Sequence, residues 1–397
     1  MDPDLGRVRR LAPARVPGGS VFDLPPRAEA ARNSEGAFID LKDGSVLFIY
    51  TRFDGNPDPI AGAEDSAKSR LAARISRDRG ATWSADTIIA TPEGETSMNV
   101  MQVSLLRMQN GDIGMFYNLR RSWLDNRTFL RRSSDDGRTW GTPVQIQSKA
   151  GYWIVIQDRA IRLSSGRIVV PTALHPERVT ITPEEAVAVR MDESPWRARK
   201  IDQRGKCSFF LSDDDGRTWR ESTSHLYLSS PYTQTGLQEP GVVELRPGVI
   251  WGWARTDLGR QYEFFSFDDG ETWTEPRPSR FTSPAVPMSI KRIPNSERFL
   301  AIWNPVPPYA TRMPRDLPIG RGRTPLVGAS GSGPTGEWTA PRLVDGVEGV
   351  DAAIHYCAIH FVSDGVLLGY AVGPTASVKG HQGLMRIRKV PLVYFLE

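Results

Sequence analysis

The stretch QEPGVVELRPGVIWGWAR begins near a carboxylate, Glu239, and ends on a guanidinium, Arg255. A Gly turn divides it into two apolar-rich segments, and two adjacent antiparallel strands would bring both charges to one end of the pair. Two further guanidiniums stand out. Arg32 lies in ARNSEGAFIDL, with Glu35 nearby, and Arg323 in GRTPLVGAS, with Arg321 two residues earlier on the same strand face. A phenol, Tyr356, sits inside the strand-like IHYCAIHF, followed by Cys357. Acids crowd the loop DGNPDPIAGAEDSAKS: Asp54, Asp58, Glu64 and Asp65. Guanidinium groups hold carboxylates through paired N–H bonds and do not deprotonate, so this residue set suits an acidic small ligand. Each residue also has a plainer reading. Glu239 would cap a turn, Arg255 would pair with Asp257, Arg32 would lie on the surface, Asp65 would be a solvated loop acid and Tyr356 would fill a core.

Composition narrows the classes. The 397 residues carry a formal charge of +4 spread along the chain, which gives no basic stripe for nucleic acid. No apolar run is long enough to span a bilayer as a helix. Cys207 and Cys357 are too few for a disulfide framework or a zinc site, and His175, His225, His355, His360 and His381 lack metal-ligand spacing. The N-terminal MDPDLGRVRRLAPARVPGG is basic but has no apolar core, so it does not read as a signal peptide. A cytoplasmic protein is expected, or a secreted one if an export segment has been trimmed.

The elements that must position these side chains are announced by a repeated turn. SRDRGATW starts at Ser76, SSDDGRTW at Ser133, SDDDGRTW at Ser212 and SFDDGETW at Ser266. In each, an aspartate (Asp78, Asp135, Asp214, Asp268) can accept backbone N–H bonds, a glycine supplies the left-handed reversal, and a tryptophan offers an apolar face as the next strand begins. SGSGPTGEW at 330–338 is an eroded fifth copy without the aspartate. Between copies run strand-like segments such as GSVLFIYTRF, GDIGMFYNLR, GRIVVPTALH, GVIWGWART and GVLLGYAVG, each opening at a Gly turn. Repeats of roughly 60 residues without helical periodicity predict an all-β fold, a six-bladed β-propeller of four-stranded antiparallel blades. The expected division is a Pro/Arg-rich extension over 1–24 and a single propeller over 25–397.

With these turns, the chain resembles the sialidase (neuraminidase) superfamily, and within it the bacterial sialidase-like proteins with Asp-box (BNR) repeats, over roughly residues 25–395. The Asp boxes speak for fold and not for activity. The resemblance implies an exo-α-sialidase that hydrolyses terminal sialic acid, or a related 2-keto sugar acid, with retention through a tyrosine nucleophile. Arg32, Arg255 and Arg323 would hold the substrate carboxylate, Tyr356 would attack with Glu239 taking its proton, and Asp65 would be the acid/base. Asp54, Asp58 and Glu64 remain rivals of Asp65, Arg321 remains a rival of Arg323, and Glu35 would serve the site or orient Arg32. Asn99, Gln102, Asp158 and Arg159 lie on inner hairpins and would line the pocket. The chain departs from the family pattern in two places, with Arg-Asn-Ser where Arg-Ile-Pro is usual and Cys357 where Ser usually follows the tyrosine. No metal or organic cofactor, nucleic acid or membrane is implied, and the partner would be a sialylated or other acidic glycan. Two other readings stay open: a propeller glycosidase or lyase for a different acidic or furanose sugar, and a non-catalytic carbohydrate-binding propeller. The charged stretch 176–206 reads as a solvated insertion, a lid or an interface.

Overall fold

A computed structural model describes residues 16–54, 65, 67–92, 97–177, 201–306, 323–346, 352–374 and 383–397. The described chain is all β apart from one short 3₁₀ turn at Leu392–Phe395. The opening strand β1 (Ser20–Leu24) is followed by a four-stranded sheet of β2 (Arg32–Asp40), β3 (Val46–Phe53), β4 (Ser69–Ser76) and β5 (Thr87–Ala90). Next come β6 (Asn99–Arg107), β7 (Ile113–Ser122), β8 (Asp125–Ser133) and β9 (Val144–Gln145), then β10 (Tyr152–Ile154), β11 (Ile161–Arg162), β12 (Ile168–His175), β13 (Lys206–Ser212) and β14 (Arg220–Glu221). These nine form one sheet, yet its two antiparallel runs meet only at a parallel pairing of Tyr152 with Asn126. A third sheet holds β15 (Gln238–Arg246), β16 (Val249–Arg255), β17 (Arg260–Ser266) and β18 (Arg277–Thr282). The fourth holds β19 (Ser289–Arg292), β20 (Phe299–Trp303), β21 (Leu326–Gly331) and β22 (Arg342–Asp345). The fifth holds β23 (Ala352–Val362), β24 (Gly365–Pro374) and β25 (Leu384–Val390), with β1 paired to β25. The described residues thus form five sheets where six four-stranded units were expected, because the Tyr152–Asn126 pairing joins two antiparallel runs into one sheet. Ser20–Leu24, assigned from sequence to the terminal extension, is a working strand of the last sheet.

Apolar clusters lie between successive sheets. Ile49 and Val103 share one between the first and second sheets. Phe209 and Ile250 share another between the second and third, and Trp253 and Met288 one between the third and fourth. Ile302 and Leu368 link the fourth to the fifth, and Phe48 with Leu367 links the fifth back to the first. Alternating strand residues thus bury both faces of each sheet, which explains the unbroken burial of segments such as VLFIY in β3.

The repeated turns brace this arrangement at the sheet ends. Asp78 Oδ1 accepts from the Ser76 hydroxyl and the Thr82 N–H, both at 2.8 Å, and Ser76 Oγ accepts from Gly80 N at 2.7 Å. The same bonds recur around Asp135, Asp214 and Asp268. Gly80 has φ 90°, a left-handed conformation that favours glycine, and a Cβ there would press on the Leu367 methyl. The turn tryptophans precede the next strand instead of starting it: Trp273 stacks on Phe209 at 3.9 Å before β18 begins at Arg277.

Candidate active site

One device recurs in the inner strands. Pairing slips at a bulge between Ser34 and Ala37 in β2, Met101 and Ser104 in β6, Gln238 and Gly241 in β15, and His355 and Ala358 in β23. At each slip one non-glycine residue takes a left-handed backbone: Glu35 (φ 51°), Gln102 (φ 64°), Glu239 (φ 50°) and Tyr356 (φ 59°). Such conformations are strained for side-chain-bearing residues, and bulges re-aim a side chain out of the regular alternation. Here the re-aimed groups meet across sheets. Gln102 Nε2 donates to Glu35 Oε1 at 3.4 Å, and the Tyr356 hydroxyl donates to Glu239 Oε1 at 2.7 Å.

The Tyr356–Glu239 couple is completed by arginines. Arg255 Nη1 donates to Glu239 Oε2 at 2.7 Å and to the Tyr356 oxygen at 3.2 Å. Arg255 is thus turned onto Glu239; Asp257, its alternative partner by sequence, instead accepts from the Thr233 and Thr235 hydroxyls. The Arg323 guanidinium carbon lies 5.9 Å from the Tyr356 ring centroid, and its Nη2 donates to the Ala285 carbonyl at 3.1 Å. Burial and then the Glu239 charge push the Tyr356 hydroxyl well above its ordinary pKa, against the pull of Arg255 and Arg323, so the phenol keeps its proton and points it at Glu239.

Arg32 anchors the other side. Its Nη1 donates to Asp65 Oδ1 at 2.7 Å, its Nε to Ser34 Oγ at 3.2 Å, and its guanidinium carbon lies 4.3 Å from the Phe53 ring centroid. Asp65 is half-exposed, and its backbone carbonyl is clamped by Asn99 Nδ2 at 2.6 Å and Arg120 Nη1 at 2.5 Å. Lost solvation would raise the Asp65 pKa, but Arg32, Arg120 and Arg323 outweigh that and hold the carboxyl below its ordinary value. Glu35 is the opposite case. Burial lifts it to about 7 despite Arg32, with Asp65 and Glu239 adding to the rise. Two carboxyls near one guanidinium are thus driven apart in acidity by their surroundings.

The structure therefore brings Arg32, Asp65, Glu239, Arg255, Arg323 and Tyr356 into one electrostatic neighbourhood, in which Arg323 feels both Tyr356 and Asp65. Of the pocket residues expected from sequence, Asn99 holds the Asp65 loop, and Gln102 bridges Glu35 and Asn118 Nδ2, the latter at 2.6 Å. Asp158 and Arg159 make their bonds elsewhere. Asp158 accepts from Lys291 Nζ at 2.5 Å and Ile359 N at 3.0 Å, while Arg159 donates to the Met288 carbonyl at 2.7 Å. Both line a cavity of about 680 Å³ with Glu244 and Lys291, and Arg159 still feels the charges of Glu239 and Tyr356. Asp54, a rival of Asp65, is paired with Arg70 at 2.6 Å. Asp58, Glu64 and Arg321, like most of the 176–206 stretch, lie outside the described residues. The end of that stretch supplies Ile201, which packs with Tyr152 and Tyr356.

Sequence reasoning missed Arg120 and Tyr152. Arg120 is 2% exposed, donates to the Tyr152 hydroxyl at 3.0 Å and lies 4.7 Å over the Trp123 ring. Strand alternation carried the signal, because in NLRRSW one of two adjacent arginines had to face inward. Among the described residues, no cluster of three or more His, Cys, Asp or Glu side chains is placed to hold a metal ion.

The fold with these repeated turns is like that of sialidases, and comparison with known proteins agrees on the fold. Residues 60–367 match the model of the BNR repeat-like domain, and the chain belongs to that family. A sialidase of Bacteroides fragilis (strain YCH46) is 26% identical over 167 residues, covering 41% of this chain but only 24% of its own length. Among solved structures, the NanB sialidase of Streptococcus pneumoniae superposes with a TM-score of 0.66 at 13% identity, covering 93% of this chain and 70% of that one. A leech intramolecular trans-sialidase superposes with a TM-score of 0.66 at 14% identity, covering 97% of this chain and 71% of that one. At these identities the structural likeness speaks for the fold.

Proposed function

We propose that the chain is a retaining exo-α-sialidase, acting on terminal sialic acid or a related 2-keto sugar acid of a glycoconjugate. Its scaffold in this reading is a six-bladed propeller over 25–397 extended at its start by β1 (Ser20–Leu24), which closes the last blade, with the nine-stranded sheet counting as two blades. The observation that carries the reading is the Tyr356 hydroxyl held 2.7 Å from Glu239 while two arginines flank the same phenol. A carbohydrate-binding module needs the cations but has no use for a phenol aimed at a base.

An acidic sugar whose anomeric carbon bears a carboxylate would repel an anionic nucleophile, and a neutral phenol avoids that repulsion. Arg32, Arg255 and Arg323 take the substrate carboxylate. The Tyr356 oxygen then bonds to the anomeric carbon as the bond to the leaving oxygen breaks. The phenolic proton passes to Glu239, and Asp65 protonates the departing group. For this Asp65 must be protonated. The substrate carboxylate, by occupying Arg32, releases Asp65 from its ion pair and adds a negative neighbour, and both changes raise its pKa. In the second half, water attacks the anomeric carbon, Asp65 accepts its proton, and Glu239 returns a proton to the departing Tyr356. Assay of a fluorogenic sialoside with Tyr356→Phe tests the scheme. Turnover should fall to background while binding of the free sugar acid persists, and a variant with wild-type turnover would refute it.

A further inference from the structure

The arginine cluster holds a carboxyl group that the scheme above does not use. Glu35 is 3% exposed, and its Oε1 is met by Gln102 Nε2 at 3.4 Å. Among the described residues its Oε2 has no hydrogen-bond partner, and it lies 3.8 Å from Arg32 Nη2, too far for a good ion pair. Arg32 does not close that gap because Nη1 is engaged by Asp65 and Nε by Ser34. The groups acting on Glu35 come from several elements. Arg32 shares its strand, Gln102 faces it from β6, Asp65 comes from the loop before β4, and Glu239 comes from β15. Tyr356 on β23 and Tyr152 on β10 feel its charge as well. Arg32 is the single cation among them, set against two carboxylates. A buried carboxylate with one unsatisfied oxygen is costly, and taking up a proton relieves the cost.

We propose that Glu35 is a specificity-determining residue that couples binding of an acidic sugar at Arg32 to the uptake of one proton. Neutral Glu35 admits the ligand's carboxylate beside the guanidinium; ionised Glu35 repels it and competes for the same cation. The inference rests on the reading of Arg32 as a carboxylate holder. Its sign follows from linkage. The free carboxyl titrates at about 7, and a bound anion raises that value further. The contribution of Glu35 to affinity is then flat below neutrality and falls as pH rises above it, by up to about tenfold per pH unit, until the bound-state value is reached.

The test is calorimetric titration of the full chain with N-acetylneuraminic acid and with glucuronic acid, from pH 5.5 to 9, in buffers of differing ionisation enthalpy. Wild type should take up about one more proton per ligand than Glu35→Gln at pH 8, and no more than Glu35→Gln at pH 5.5, where uptake by Asp65 is common to both. Glu35→Gln preserves the shape and the neutral state, so it should lose the Glu35 share of the pH dependence above neutrality and bind tighter than wild type at pH 8. A thermal melt checks that the variant folds. Zero uptake by wild type at pH 8, a result that needs no variant, would overturn the proposal. So would a pH slope above neutrality as steep in Glu35→Gln as in wild type, because it would assign the whole proton uptake to Asp65. If neither acid binds wild type at any pH, the carboxylate-holding role of Arg32 falls and the Glu35 inference falls with it. Binding with an unchanged slope in the variant sinks the inference alone.

Discussion

Glu239→Gln isolates the proton acceptor of the proposed couple. The substitution keeps the side chain's length and an oxygen for the Tyr356 hydroxyl to donate to at the present 2.7 Å, but it removes basicity. Without a base, attack falls to the phenolate present at equilibrium. An ordinary tyrosine pKa near 10 leaves about one phenolate per thousand at pH 7, and the buried Tyr356 lies higher still. A general base contributes about 10²–10⁴ in rate, so a fall in kcat of about 10³ or more is expected, with KM shifted far less because the three arginines stay in place. Arg255 does lose its anionic partner at 2.7 Å, so a thermal melt must accompany the kinetics. Steady-state hydrolysis of an aryl sialoside by the folded variant decides the matter. A kcat above one tenth of wild type would show that Glu239 does not take the proton, whatever else the pocket does.

Asp65→Asn should cost little on an aryl sialoside with a good leaving group and about 10²-fold or more on a natural disaccharide, because only the latter needs a proton on the departing oxygen; equal losses on both would argue against Asp65 as the acid. Gly80→Ala forces a left-handed alanine into the Leu367 methyl, and a loss of about 1–3 kcal/mol, read from denaturant unfolding, is expected. The turn aspartates predict an acid limit. The Thr82 hydroxyl and N–H pull Asp78 down to about 2, so its contribution is whole above an unfolded value of about 4 and is lost as pH falls toward 2. The melting temperature of Asp78→Asn should accordingly vary less than that of wild type between pH 5 and pH 2.

The repeated turns were readable because all their bonds are local: Asp78 reaches a serine two residues back and a threonine four residues on. Strand alternation likewise marked most of the strands, while the candidate arginines were picked out by the family resemblance. The merging of two antiparallel runs into one nine-stranded sheet was not readable, because it depends on a single pairing, Tyr152 with Asn126. The recruitment of Ser20–Leu24 to β25 joins the two ends of the chain, Asp23 bonding Arg386 across 363 positions.

The site divides along the same line. By itself, the order of residue types determined that three arginines, a glutamate, a tyrosine and a loop of acids were available in different segments of the chain. Only the tertiary structure decided which of them meet. Tyr356 and Glu239 stand 117 positions apart, and their contact requires a bulge in each inner strand, a break in period-two alternation that no pattern of apolar residues records. The same is true of acidity. Glu35 and Asp65 are both carboxyls beside Arg32, and what separates them is how much water each retains and which guanidiniums surround it, a property of the packed molecule and not of the chain.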